Sequence, residues 1–308
     1  MRRACLAVTL SLVVACNGGS SMPADDVPDI DAAVGTVDAP DGWQTLVQGD
    51  WSLNMGEEGY YCVYATVPRD MYVKAFRPII PPGTHHTVLT RYTGSQPDGT
   101  VRCSAGTNGQ SMIYGSGVGS PDFTFPAGVG LHLTAGTRLL LNLHLYNTSD
   151  QVLTGTSGTL IQEATAAEIQ HVGEIVLAGP TATLVVPTGT STQSGTCNIS
   201  NITSQPIQVF ALSSHMHKLG TNLRSVVRRT GSPDIVLQDQ PYDFEHQNFQ
   251  LVAPFVELRP GDVLTTTCTY NNTTGATVRF GDSSDDEMCF TDLFYYPAQG
   301  ANFICTGF

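Results

Sequence analysis

Leu141-Asn142-Leu143-His144-Leu145-Tyr146 alternates apolar and polar residues without a break. A strand sends successive side chains to opposite faces, so Leu141, Leu143 and Leu145 belong to a core face and Asn142, His144 and Tyr146 to the other. Outward from this stretch the same grammar recurs. Residues 60–67, 72–79, 87–92, 138–146 and 159–161 read as strands, separated by clusters such as Pro81-Pro82-Gly83 and the Gly-rich stretch 94–99. Residues 164–169 form the one short stretch that reads as helical. From about Gly173 a second series follows, with strands expected at 183–186, 207–217, 223–229, 252–258, 263–270 and 288–296. The expectation is an all-β chain of two tandem antiparallel β-sandwich domains, 43–172 and 173–308, without an internal repeat.

Composition agrees. Only 13% of the 308 residues are charged, and Gly (31) and Pro (18) are frequent, which suits short strands and turns. The net charge of −13 argues against a nucleic-acid partner, because phosphate binding needs clustered Lys and Arg. Much of that charge lies outside the globular part. Residues 17–42 carry Asp25, Asp26, Asp29, Asp31, Asp38 and Asp41 with no Lys or Arg, the composition of a disordered acidic linker.

Before the linker, Arg2 and Arg3 precede an apolar stretch over residues 6–15 that is too short to anchor in a bilayer by itself. It closes with Val13-Val14-Ala15-Cys16, which resembles a bacterial lipobox, so 1–16 is expected to be a lipoprotein signal peptide with Cys16 acylated. The expected location is outside the cytoplasm, secreted and held on the cell envelope by that anchor alone, as a monomer. Apart from Cys5 and Cys16, the chain has Cys62, Cys103, Cys197, Cys268, Cys289 and Cys305. Six cysteines in an exported chain point to three disulfides, with about 15 pairings open on spacing alone.

The histidines carry the chemistry. If 207–217 is one strand, Ser213, His215 and His217 share a face, with the two His backbones about 7 Å apart, a spacing that suits one metal. His85-His86 follows Pro81-Pro82-Gly83-Thr84. Neighbours on a regular strand point apart, so these two reach a common ion only where the strand starts irregularly. In Ser283-Ser284-Asp285-Asp286-Glu287-Met288-Cys289, the last two side chains point oppositely, so the thiol can cross-link inward while the thioether faces out. A thioether beside imidazoles favours Cu(I). The acidic run lacks the Gly and spaced ligands of a calcium loop. His132, His171 and His246 have no such setting, although His246 lies in the aromatic-rich Tyr242-Asp243-Phe244-Glu245-His246.

Four motifs, His85-His86, Asn142-Leu143-His144, His215-Met216-His217-Lys218-Leu219-Gly220 and Ser284-Asp285-Asp286-Glu287-Met288-Cys289, together resemble the copper type II, ascorbate-dependent monooxygenases. This is the family of the peptidylglycine-hydroxylating and dopamine-hydroxylating enzymes. Tyr60-Tyr61-Cys62 and Pro260-Gly261-Asp262 with Cys268 also look like the family. The resemblance implies jelly-roll-like domains, each contributing one of two coppers across a solvent-filled cleft. It implies His85, His86 and His144 as ligands of an electron-transfer copper, and His215, His217 and Met288 as catalytic ligands of the copper that activates O2. It further implies ascorbate as reductant, O2 as co-substrate, a small-molecule substrate, and disulfides Cys62–Cys103, Cys197–Cys305 and Cys268–Cys289. Asn142, Ser213, His246 and Asp292 are the candidates for supporting or substrate contacts. The chain departs from the peptide-hydroxylating members, which have Arg at the place of Ser213, Asn at Phe290 and Tyr at Asp292, so peptidylglycine is not the expected substrate. The alternative is a non-catalytic copper carrier or sensor on the same scaffold.

Overall fold

The computed structural model describes residues 39–106, 111–300 and 304–306. The expected signal peptide with Cys16, and the part of the expected linker before residue 39, lie outside the described residues. Among the described residues the regular structure is β apart from one 3-10 turn, Ile199–Asn201. The 164–169 stretch is a turn instead of a helix: Thr165 takes Glu168 Oε2 on its own N–H (2.7 Å), closing the chain after one turn.

Four larger antiparallel-rich sheets and one two-stranded sheet, Val185–Val186 with Val278–Arg279, build the body among the described residues. From the first series, Gln44–Leu53, Leu153–Ala164, Met71–Ile79, Val129–Leu133 and His171–Val172 form one sheet, with Phe123–Thr124 attached. Gly99–Cys103, Glu58–Thr66, Arg138–Tyr146, Thr84–Arg91 and Met112–Gly117 form the second. From the second series, Gln250–Leu258, Ile207–Met216, Cys289–Tyr296, Glu174–Ala178 and Ile304–Cys305 form the third, and Gly189–Asn198, Val263–Asn272, Gly220–Arg228 and Ile235–Pro241 the fourth. Strands 44–53, 112–117, 189–198 and 235–241 escaped the sequence reading, because their alternation is diluted by Gly, Ser, Thr and Gln.

The alternation at 141–146 is realised in the packing. Leu141, Leu143 and Leu145 are fully buried against Trp51, Val73, Phe76 and Ile161 of the facing sheet. Their neighbours Asn142 and His144 are also buried, but on the opposite face, which is covered by the second series. Phe210, Ala211 and Phe294 of the third sheet join the core of the first half, where Phe123 and Phe294 stack with centroids 5.0 Å apart. Two sheet faces thus press together with polar groups kept between them, and the candidate site is there.

Cys62–Cys103, Cys197–Cys305 and Cys268–Cys289 are disulfide-bonded, with Cα separations of 5.8, 5.3 and 5.9 Å. Cys289 points into the second half's own core with Met216, Leu223 and Tyr270. Its neighbour Met288 consequently faces the space between the halves.

Candidate metal centre

Three imidazoles meet on the second sheet. Gly83, at φ +96°, closes a turn in which Thr84 N–H donates to Pro81 C=O (3.0 Å), and a Cβ on Gly83 would strike Trp51 and Leu153 at 2.7 Å. Beyond the turn the pairing with Arg138–Tyr146 slips: Thr84 lies opposite Leu145 and His86 opposite His144, with His85 left over. This irregularity lets adjacent residues turn to one side. His85 Nδ1 lies 3.0 Å from His86 Nδ1, and His144 Nδ1 lies 3.4 Å from His86 Nδ1. All three offer a nitrogen within 4.8 Å of the others, close enough to share one ion held about 2 Å from each imidazole nitrogen.

The outer nitrogens face carboxylates. His144 Nε2 donates to Glu58 Oε1 (2.7 Å), which frees Nδ1 as a lone-pair donor, while Tyr60 stacks on the ring at 4.6 Å. Glu58 Oε1 also accepts from Ser284 Oγ (3.0 Å), joining this set to the loop that carries Met288. Burial raises the Glu58 carboxyl, but the His144 and Ser284 hydrogen bonds outweigh it and hold the group below its ordinary value. His85 Nε2 lies 3.2 Å from Glu245 Oε2 but without hydrogen-bond geometry.

His215 and His217 belong to the third sheet. Its strand ends at Met216, one residue earlier than the sequence suggests, because Gly220 N–H turns back onto His217 C=O (3.1 Å). The two rings nevertheless lie 5.4 Å apart at 87° and share a cavity with Met288. Here Nδ1 is the outer nitrogen. His215 Nδ1 donates to Gln247 Oε1 (2.7 Å) and His217 Nδ1 to Asp286 C=O (3.1 Å), leaving both Nε2 atoms free to ligate. Fully buried Glu287 fixes the frame by accepting from the backbone N–H groups of His217 (3.0 Å), Leu219 (2.8 Å) and Met288 (3.2 Å). Burial pushes its carboxyl up to about 7 against those three donors.

Burial is also the main reason that His86 and His144 are held below the ordinary imidazole value, His86 far below it. The same cause lowers His215, and brings His217 to about 3 with help from His215. The neutral imidazole is the form that binds metal. Three imidazoles in one set and two imidazoles with a thioether in the other suit copper, a soft or borderline ion.

The cavity of about 270 Å³ is lined from the first half by Tyr60, His86, Val88 and Asn142, and from the second by His215, His217, Met288, Phe290 and Asp292. Ser213 lines a smaller adjoining cavity with Asp292. Asn142 Nδ2 reaches Ser104 C=O (3.4 Å) and the Cys62 sulfur (3.5 Å). His246 points away to Asp243 (2.7 Å) on the exposed side. Its neighbours matter more: Gln247 holds His215, and the Phe244 ring lies 4.6 Å from His85 and 6.5 Å from His217. His132 and His171 stack on Tyr72 and Tyr296, away from the cavity.

Residues 170–306 match the family described as copper type II ascorbate-dependent monooxygenase, C-terminal domain. The chain is 30% identical to DBH-like monooxygenase protein 1 of Mus musculus over 223 residues, which is 67% of this chain and 35% of that protein. It is 29% identical to dopamine beta-hydroxylase of Bos taurus over 195 residues, 58% of this chain and 32% of the other. Tyramine beta-hydroxylase of Caenorhabditis briggsae is 36% identical over 100 residues, 32% of this chain and 17% of the other. The chain spans 35% or less of the length of each of these relatives.

Proposed function

Because the chain belongs to the copper type II, ascorbate-dependent monooxygenase family, we propose that it hydroxylates a C–H bond of a small molecule with O2 and an ascorbate-type reductant. The balance is R–H plus O2, two electrons and two protons, giving R–OH and water. The observation that carries the proposal is the convergence of three His Nδ1 atoms beside a cavity that also receives His215, His217 and Met288.

In this proposal one copper sits with His85, His86 and His144 and the other with His215, His217 and Met288. Copper when bound supplies the one-electron redox steps and the activation of O2. The protein does the rest. Burial favours the neutral imidazole at His86, His144, His215 and His217, and Glu58, Gln247, Asp286 and Glu287 orient the ligand sets. Residues 43–172 and 173–308 act as the two domains that bring the ligand sets together. Three disulfides suit an oxidising compartment. With the N-terminal lipobox they support an exported protein tethered to the envelope through Cys16.

Ser213, Phe290 and Asp292 stand at the positions where the peptide-hydroxylating enzymes grip a carboxylate, and none can fork onto one, so peptidylglycine is excluded from the proposal.

The test is copper stoichiometry together with ascorbate-dependent O2 uptake, for wild type and Met288→Ala. Two coppers per chain and substrate-stimulated uptake that Met288→Ala abolishes are expected. Two coppers with uptake no faster than free copper would favour a carrier. A chain that holds no specific copper would sink both.

A further inference from the structure

One outer nitrogen of the first histidine set is both buried and without a partner. His85 Nε2 makes no hydrogen bond, whereas the outer nitrogen of His144 is bonded to Glu58. The group facing His85 Nε2 is the carboxylate of Glu245, with Oε2 at 3.2 Å, so the angle is missing and not the proximity. Glu245 comes from the second half, on residues 242–249, which cross onto the first half and are pinned at several points. The Tyr242 hydroxyl donates to Met216 C=O (2.5 Å), Gln247 accepts from His215, and Asn248 Oδ1 accepts from Ser120 Oγ of the first half. Ser120 Oγ is itself placed by accepting from Gly117 N–H (2.8 Å). Phe249 packs on Phe123 and Phe294, with centroids 5.7 and 4.7 Å apart. Between these pins, the Phe244 ring lies 4.6 Å from the His85 ring and Glu245 reaches its edge. The Glu245 side chain is 57% exposed, so a mobile carboxylate hangs from a fixed backbone.

Imidazole chemistry accounts for the missing bond. His85 Nδ1 faces His86 Nδ1 at 3.0 Å. With that contact donated by His85, Nε2 is a lone pair and cannot bond a carboxylate. A neutral ring that ligates through Nδ1 carries its proton on Nε2 instead, where it becomes a donor with Glu245 Oε2 in reach. Ligating imidazoles are characteristically held by such an outer bond, the arrangement that His144, His215 and His217 have. We infer that Glu245 is a positioning residue for His85, so that the second half of the chain orients a ligand belonging to the first half's set. Residues 244–247 thereby serve both sets, Glu245 acting on His85 and Gln247 on His215. This rests on the first set being a copper site, which is one part of the proposed function, and not on turnover.

The experiment is Cu(I) competition titration with a chelator, together with pulsed EPR of the Cu(II) form. It uses full chains in which His217→Ala or His144→Ala leaves one set to be read by itself. In the His217→Ala background, Glu245→Ala should weaken copper on the order of tenfold, the low end for losing the outer partner of a ligating imidazole. Glu245→Gln keeps an acceptor in the same place and should lose less. The pulsed EPR signal of a remote imidazole nitrogen should change in Glu245→Ala, which a merely structural role would not produce. In the His144→Ala background, both substitutions should leave the second set within about threefold of its starting affinity. Unchanged affinity with an unchanged remote-nitrogen signal overturns the inference. Equal weakening of both sets also overturns it, because Glu245 would then be a brace for residues 242–249 as a whole. A wild type that binds two coppers and shows these effects without hydroxylating a substrate leaves the inference standing and sinks the monooxygenase alone. A wild type that binds no copper sinks both.

Discussion

The two histidine sets are wired in opposite senses. In the first, Nδ1 atoms face inward, and the outer nitrogen of His144 bonds the carboxylate of Glu58. In the second, Nδ1 points outward to neutral oxygens, the Gln247 amide and the Asp286 carbonyl. The first set is made by register, since His86 and His144 are paired residues of neighbouring strands. The second is made beyond a strand end, where Glu287 gathers the backbone of His217, Leu219 and Met288. A carboxylate partner raises imidazole basicity more than an amide does, so the first set should hold its ion with the more electron-rich donors. The second keeps a thioether, which favours the reduced ion. Different hydrogen-bond partners thus distinguish two sets of imidazoles.

The strongest way to break this comparison is Glu287→Ala. Three buried N–H groups would lose their acceptor, for a destabilisation of roughly 3 kcal/mol. In a chain of this size that lowers the melting temperature by ~6–12 °C. Copper should fall from two to one per chain, the first set being spared. Unchanged melting, or loss of both coppers together, would remove the distinction between a register-built and a clamp-built centre.

Next in size is Glu58→Gln. Exchanging the carboxylate on His144 for an amide should weaken copper at the first set by roughly 10- to 100-fold, read by competition with a Cu(I) chelator. The second set should keep its affinity. Equal weakening of both would mean that Glu58 acts chiefly through Ser284 and the Met288 loop instead of through His144.

The converse is Gln247→Ala, expected to weaken the second set alone by about tenfold or less, since the lost partner is neutral. A larger effect than Glu58→Gln would show that the charge of the partner is not what separates the two sets.

Sequence alone carried the local half of this picture. His144 was legible because Leu141, Leu143 and Leu145 define its strand and thereby its face. The His85-His86 pair was legible only as a condition, an irregular start, that the slip beside Thr84 then met. Glu58, Gln247 and Glu287 were not legible as partners. Each acts on a residue at least 30 positions away, through contacts that exist only once the sheets have paired. Glu287 sat in an acidic run that invited comparison with a calcium loop, yet it turns inward onto backbone N–H groups. The helix expected at 164–169 failed for a related reason: Glu168 serves its own turn instead of a helical face. Ser213 and Asp292 were placed on the right face by alternation, but only the packed cavity reveals a carboxylate oxygen without a partner.

The smallest effect is expected at a ring that lies beside both sets. Phe244 lies 4.6 Å from His85 and 6.5 Å from His217, on a segment anchored by Gln247 on His215 and by the Tyr242 hydroxyl on Met216 C=O (2.5 Å). Phe244→Leu keeps an apolar filler but removes the ring–ring contacts, a loss of about 1 kcal/mol in a denaturant melt. Phe244 bonds to no ring nitrogen, so it cannot choose which one faces the ion. Copper affinity at either set should then move by less than about threefold, because the ring contributes packing and not donor orientation. Should Phe244→Leu weaken one set as much as Glu58→Gln weakens the first, ring packing rather than the hydrogen-bonded outer nitrogen would be what orients these imidazoles. The contrast between carboxylate-backed and amide-backed centres would then be incidental to how the protein holds its metal.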